Sequence, residues 1–210
     1  MHDPLSVLQV FDRLEIGPVK LEPRRLMAPY RLFWNGREDR TELIYSYEEK
    51  VFDPSEPESQ NLADMIAAQV ALNYGLFCRT IVFHGTFDEL DRRFIQDMAE
   101  NTAREIYVKK FIESNPFLTG AITQLPAVKQ QKYPRARQEF PEPPVLKAKT
   151  KWQLWSTDRH RHCILSSGGK DSLLSYGLIN EIGREVHPIF VNESGRHWFT
   201  ALNAYRYFKD

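Results

Sequence analysis

One short segment of this sequence combines residue types that together favour phosphate binding. It reads Ser167-Gly168-Gly169-Lys170-Asp171-Ser172, and it lies between a strand-like run at 162–166 and a helix-like run at 173–182. Glycines let the backbone turn tightly and approach a ligand, and the free N–H groups in the first turn of a helix favour phosphate oxygens. The segment therefore predicts an anion-binding loop between a strand and a helix.

The side chains of this loop add specific chemistry. Ser167 and Ser172 are predicted to donate hydroxyl hydrogen bonds, and Lys170 supplies a mobile positive charge. Asp171 is predicted either to cap the helix or to help hold a magnesium ion, because carboxylates suit that cation. Glycine-rich turns also occur without any ligand, but the combination of strand, loop and helix in register favours the binding interpretation.

The loop does not have the Walker A spacing that is typical of kinases and GTPases. Ile164 stands where the first glycine of that motif belongs, and Asp171 instead of serine or threonine follows Lys170. An ordinary P-loop kinase or GTPase is therefore disfavoured.

The hexapeptide 167–172 resembles the SGGxDS signature of the PP-loop ATP pyrophosphatases. The resemblance implies a domain with the fold of the adenine nucleotide alpha hydrolases, which binds ATP with Mg²⁺ and releases AMP and pyrophosphate. It further implies that Lys170 and Asp171 are catalytic, that Asp171 holds the metal, and that residues 167–172 cradle the phosphates. By position, it also places Phe190-Val191-Asn192-Glu193 near the base and ribose, with Asn192 as a nucleotide contact.

Members of this superfamily differ in what surrounds the loop. A glutamine-dependent synthetase is disfavoured, because no cysteine stands near residue 1 and Cys78 lacks the glycines of a nucleophile elbow. Sulfonucleotide reductases and diphthamide ligases usually begin close to their loop, whereas a long segment precedes it here. An amide ligase or a tRNA-modifying transferase of the PP-loop type stays open as an alternative.

The chain resembles the ATP-dependent epimerases of UDP-N-acetylmuramoyl-L-alanyl-L-glutamate. The resemblance rests on a leading domain, a proline-rich linker and the local sequences at 164–174 and 192–198. That resemblance implies a small-molecule substrate, a UDP-linked muramoyl dipeptide used in peptidoglycan biosynthesis. The terminal L-Glu carboxylate would be adenylated and the residue inverted to D-Glu. No residue of the sequence is assignable as the acid or the base that moves the Cα proton.

Composition bounds these interpretations. Among the 210 residues, 28 Lys and Arg balance 28 Asp and Glu, so the charge gives no reason to expect a nucleic-acid partner. The amino terminus lacks a secretory signal pattern, and no apolar run is long enough to span a bilayer, so we expect a cytoplasmic protein. Cys78 and Cys163 form no CxxC pair and predict no zinc cluster. The oligomeric state is not indicated.

The pattern along the chain predicts an α/β protein of two domains. Residues 1–132 are expected to form an α/β domain with a strand-rich start, and residues 133–150 a proline-rich linker. The predicted elements of the first domain are strands at 5–16, 42–52 and 80–84 and helices at 61–74 and 88–112.

Residues 151–210 are expected to begin the parallel sheet of a PP-loop domain. Strands are predicted at 162–166 and 186–192, and helices at 173–182 and 197–208. Because parallel sheets need several strands covered on both faces, we expect further strands beyond residue 210 and a truncated domain. Weaker candidates for ligand contact are His160, His162 and the segment Arg196-His197-Trp198.

Overall fold

A computed structural model describes residues 3–144, 158–190 and 197–209 of the chain. The chain divides into two compact units, Met1–Ala148 and Lys149–Asp210. Both units combine helices with strands, which confirms the predicted α/β class.

The first unit contains a mixed sheet of six strands. They are β1 (Phe11–Ile16), β2 (Lys20–Glu22), β3 (Arg25–Trp34), β4 (Arg37–Ser46), β5 (Cys78–Phe83) and β6 (Arg137–Glu139). The spatial order is β2-β3-β1-β5-β6, and β4 pairs with β3. Strand β5 runs parallel to both β1 and β6, while β3 runs antiparallel to its neighbours. The carboxyl ends of β1, β5 and β6 therefore lie at the same edge of the sheet.

A tight hairpin joins β3 to β4. Asn35 has φ 49° and Gly36 has φ 73°, and positive φ at both turn residues is what a two-residue type I′ turn requires. The prediction of a strand at 42–52 was wrong in its bounds, because the strand ends at Ser46 and begins at Arg37. Strands β2 and β3 were missed altogether, although Asn35-Gly36 is a strong hairpin signal.

Two helices of the first unit confirm the helical predictions and differ from them at the ends. They are α1 (Pro57–Ala71) and α2 (Glu89–Ile106), the second continuing as a π-helical turn over Tyr107–Ile112. Alanines on α1 and the buried face of α2 pack against the sheet residues Leu14, Ile16, Ile81 and Phe83. The small side chains of α1 allow its backbone to approach the sheet closely, and this cluster is the main core.

The chain opens with a 3₁₀ turn over Pro4–Leu8, whereas a strand was predicted from residue 5. The Asp3 carboxylate accepts a hydrogen bond from the Leu5 N–H at 3.0 Å, and Pro4 cannot supply the N–H that a strand ladder needs. Leu5 and Leu8 are buried in a second core cluster that includes Tyr107. Strand β1 thus begins only at Phe11.

The predicted linker at 133–150 begins inside the first unit. Arg137–Glu139 forms β6, which pairs with β5, and the Phe140 ring stacks on the Phe83 ring with centroids 5.2 Å apart. The first unit therefore extends well past residue 132, and the prolines flank a short edge strand. Residues 145–150 of the predicted linker lie outside the described residues.

The second unit confirms the predicted order of strand, helix, strand and helix. Its elements are β7 (Arg161–Leu165), α3 (Lys170–Glu181), β8 (Glu185–Ile189) and α4 (His197–Lys209). Strands β7 and β8 pair in parallel, with Cys163 opposite His187. Helix α3 begins three residues earlier than predicted, at Lys170, so the loop is shorter than the sequence pattern indicated.

No helix among the described residues is long and apolar enough to cross a membrane.

Candidate phosphate-binding loop

The loop of the second unit runs directly from the carboxyl end of β7 into α3. The Ser166 N–H still donates to the Ile189 carbonyl at 2.9 Å, which extends the β7–β8 ladder by one hydrogen bond. Gly169 then serves as the N-cap of α3, with extended backbone angles of φ −81° and ψ 167°. The chain therefore changes from strand to helix within residues 166–169, at the sheet end where open α/β sheets bind ligands.

Gly168 is required by this turn for two reasons. Its φ is +78°, which residues with a side chain rarely adopt. A Cβ atom added there would lie 2.5 Å from the carbonyl oxygen of Thr200 in α4. Gly169 is less restricted, since its φ is negative and an added Cβ would meet only the Ser167 Oγ at 3.5 Å.

A buried serine that the sequence analysis missed holds the loop in shape. Ser166 is 7% exposed, and its Oγ accepts the Gly168 N–H at 3.2 Å. The same hydroxyl donates to the Ser172 Oγ at 3.1 Å, and Ser172 in turn donates to the Gly169 carbonyl at 2.9 Å. In this conformation the Ser172 hydroxyl braces the loop. The only sequence signal for Ser166 was its place next to Ser167.

The amino terminus of α3 has no side-chain cap. The first helical hydrogen bond comes from Leu173, so the N–H groups of Lys170, Asp171 and Ser172 have no partner among the described residues. By contrast, the amino terminus of α2 is closed by a capping box between Asp88 and Asp91. Open N–H groups and the helix dipole give α3 the local electrostatics of an anion site.

The charged loop residues face solvent. Lys170 and Asp171 are exposed, and neither side chain has a hydrogen-bond or ion-pair partner in the part of the chain that the structure describes. The expectation that Asp171 caps α3 was wrong, because Asp171 follows the N-cap Gly169 by two residues and lies within the first turn. Both side chains are thus available to a ligand, and Ser167 is exposed beside them.

The residues present fit a magnesium ion bound together with phosphates. Residues 3–144, 158–190 and 197–209 hold no group of three or more His, Cys, Asp or Glu arranged for a metal. Magnesium usually takes only one or two carboxylates, with phosphate oxygens and waters as its other ligands. The unpaired Asp171 carboxylate at the open end of α3 meets that requirement.

The other sequence candidates have different positions. Asn192 and Arg196 lie outside the described residues. Phe190 packs against Tyr205 of α4, with ring centroids 6.0 Å apart. His160 precedes β7 at the strand end remote from the loop, where its Nδ1 lies 2.6 Å from an Arg184 nitrogen. His160 therefore lies at the opposite end of β7 from the loop and is not placed to contact a phosphate bound there.

Helix α4 begins shortly after residues 190–193, which the resemblance places near the base and ribose of the nucleotide. His197 is the first residue of α4, and Trp198 is half-buried in its first turn. Thr200 contacts the loop through its carbonyl group at Gly168. Helix α4 thus forms one wall beside the loop within the second unit.

Comparison with models of known protein families finds no match for this chain, and comparison with curated proteins finds none either. The sequence and geometry of residues 166–172 are therefore the observations that bear on function.

Proposed function

We propose that the second unit is an ATP-binding domain of the PP-loop type that splits ATP into AMP and pyrophosphate. One observation carries this proposal: the sequence Ser-Gly-Gly-Lys-Asp-Ser forms a turn that leads into the uncapped first turn of α3. The positive φ of Gly168 supports it, since such turns bring backbone N–H groups close to phosphates.

Each exposed loop residue has a definite role in this proposal. The first-turn N–H groups of α3 bind phosphate oxygens, and Lys170 balances the charge of the pyrophosphate as it leaves. Asp171 would hold a magnesium ion, which when bound would neutralise phosphate charge. Ser167 donates a hydroxyl hydrogen bond from the exposed side of the loop.

The substrate we propose is UDP-N-acetylmuramoyl-L-alanyl-L-glutamate, on the resemblance of residues 164–174 and 192–198 to epimerases of that dipeptide. Its terminal carboxylate attacks the α-phosphorus of ATP, which forms an acyl adenylate and releases pyrophosphate. The adenylate has no carboxylate charge, so removal of the neighbouring Cα proton no longer adds charge to an anion. A proton then arrives from the opposite face, and water cleaves the adenylate to AMP and the D-Glu product.

Solvent isotope incorporation tests this proposal directly. The full-length protein receives ATP, magnesium and the L-Glu substrate in deuterated water, and the product is analysed by chiral chromatography and mass spectrometry. We expect the D-Glu epimer with one deuteron at Cα, accompanied by AMP and pyrophosphate, because the departing proton and the arriving one come from opposite faces.

The other outcomes assign the protein differently. ADP with orthophosphate would indicate acyl phosphate chemistry and contradict the PP-loop proposal. Epimer without deuterium would contradict the carbanion route. AMP release that requires a tRNA or an amine, with no reaction of the dipeptide, would place the protein among the PP-loop transferases or ligases.

A further inference from the structure

Two polar side chains of the first unit lie at the sheet edge where β5 and β6 end. His84 follows the last residue of β5, and its N–H donates to the Ile16 carbonyl of β1 at 2.9 Å. Glu142 follows β6 by three residues, at the same edge of the sheet. Carboxyl ends of parallel strands are where open α/β sheets place their ligand sites.

His84 and Glu142 are in direct contact. The His84 Nδ1 lies 3.2 Å from the Glu142 Oε1, and the Gly85 N–H donates to the other carboxylate oxygen at 3.4 Å. Because a carboxylate only accepts hydrogen bonds, the proton of the neutral imidazole is on Nδ1 and the lone pair is on Nε2. The His84 side chain is 28% exposed, and Nε2 has no partner among the described residues.

A buried carboxylate, that of Asp64, accepts hydrogen bonds from the loop that carries His84. Asp64 of α1 is 2% exposed and accepts hydrogen bonds from the Thr86 N–H at 2.9 Å and the Thr86 hydroxyl at 2.7 Å. Gly85 has φ +152°, and a Cβ there would lie 2.7 Å from the Asp64 Cγ. The backbone beside His84 is thus held in one conformation.

Two further contacts fix the position of the partner carboxylate and of the loop. Arg92 of α2 donates to the Glu142 carbonyl at 2.6 Å, which anchors the backbone of Glu142. A Cβ on Gly17 would clash with the His84 carbonyl oxygen, so the turn between β1 and β2 packs closely against the backbone of His84. An imidazole with one tautomer and one orientation is the arrangement that proton transfer needs.

We propose that His84 and Glu142 of the first unit form a general-base dyad that hydrolyses carboxylic esters. Thr86 is the nearest hydroxyl along the loop, but it donates to Asp64, so the attacking group is water. Water gives its proton to His84 Nε2 as its oxygen bonds to the ester carbonyl carbon. The carbon–oxygen bond to the leaving group then breaks, and the proton passes from Nε2 to solvent or to that group. Glu142 is a positioning residue that stabilises the imidazolium.

Hydrolysis of p-nitrophenyl acetate by the full chain tests the dyad. We expect His84→Gln to lower the protein-dependent rate by about 10²-fold and Glu142→Gln by about tenfold, since positioned proton transfer contributes at that scale. His187→Gln is the control, because His187 is also partly exposed and lies 2.9 Å from a Glu185 oxygen. It removes a comparable imidazole from the second unit, and we expect no change in rate.

Nitrogen-15 NMR of the imidazoles gives a readout that a purely structural role would not move. We expect His84 of the native protein to carry its proton on Nδ1, and Glu142→Leu, which offers Nδ1–H no acceptor, to shift the tautomer towards Nε2 while thermal melts show the variant folded. Equal rates for the native protein and His84→Gln, or a proton on Nε2 in the native protein, would overturn the proposal. Neither result depends on the ATP loop.

Discussion

The Ser166 hydroxyl lies 3.1 Å from the Ser172 hydroxyl, which ties the end of β7 to the first turn of α3. The Ser166 hydroxyl also accepts a hydrogen bond from the Gly168 N–H, so two hydrogen bonds within the loop fix the turn. Internal hydrogen bonds therefore hold the loop in shape, and binding of the proposed nucleotide would not have to order it. Preformed sites of this kind lose little free energy to ordering on association.

Removal of the two exposed loop charges should impair nucleotide turnover without unfolding the protein. For Lys170→Ala and Asp171→Ala we expect a loss of about 1.5–3 kcal/mol in phosphate binding or in AMP formation, the scale of a charge-assisted hydrogen bond. Isothermal titration with ATP and a radiometric AMP assay on the full-length protein measure the two effects. Glu181→Gln at the other end of α3 is the control, and unchanged affinity and turnover in both alanine variants would refute the loop assignment.

Two glycines of the second unit should respond to alanine in opposite directions. Gly168→Ala introduces a Cβ 2.5 Å from the Thr200 carbonyl oxygen at a positive φ, so we expect a loss of more than about 1 kcal/mol in stability. Gly177 lies inside α3, where an added Cβ meets nothing within 4 Å, so Gly177→Ala should stabilise by about 0.5–1 kcal/mol. Hydrogen exchange of α3 peptides measures both, and equal effects would contradict the close packing at Gly168.

The buried carboxyl of Asp64 should make part of the stability depend on pH. Burial raises its pKa above the usual 3.8, although the Thr86 and Gln60 hydrogen bonds oppose the shift. Its contribution is therefore fully present below pH 3.8 and is lost as pH rises through the raised pKa. The native protein should be more stable than Asp64→Asn, because both carboxylate oxygens of Asp64 accept hydrogen bonds, from Thr86 and from Gln60, and the Asn side chain must place its amide donor against one of these donors. This advantage should shrink with rising pH.

Urea unfolding between pH 3.5 and pH 7 measures that dependence, with Asp97→Asn on the exposed face of α2 as a control for loss of one carboxyl. An advantage of the native protein that grows with pH would show that hydrogen bonding, and not burial, dominates at Asp64.

The two cysteines should differ sharply in reactivity. Burial within β5 raises the pKa of the Cys78 thiol to about 12, whereas Cys163 is exposed on β7. Because the thiolate is the reactive form, we expect Ellman's reagent at pH 8 to modify one thiol rapidly in the folded protein. Cys163→Ser should abolish that fast phase, and Cys78 should react only after denaturant is added. Two fast phases would contradict the burial of Cys78.

The elements that the sequence predicted well are those with long local periodicity. Helices α1 and α2 carry apolar residues at helical spacing over several turns, and Asp88 marks the start of α2. In the second unit, a strand pattern followed by Gly168-Gly169 and a helix pattern located the turn between β7 and α3, although α3 begins three residues earlier than predicted. A turn of this kind is encoded by adjacent residues.

The elements that it missed depend on distant partners or on single side chains. Strand β6 has only three residues, flanked by prolines, and it is a strand because β5 offers it an open edge. Ser166 and Ser172 brace each other only once the chain has turned, so spacing alone assigned Ser172 a free hydroxyl. The contact between His84 and Glu142 joins loops that no sequence pattern connects.

The late position of β6 along the chain has a consequence for synthesis on the ribosome. Strand β5 emerges well before residues 137–139, so at about 5–20 residues per second its edge stays unpaired for several seconds. During that interval Phe83 and Phe87 lack the Phe140 ring that covers them in the folded unit. An expression fragment ending at residue 132 would keep that edge open permanently, and exposed strand edges of this kind recruit other chains. Fragments of the first unit should therefore extend through Glu142, so that β6 and Phe140 cover this edge.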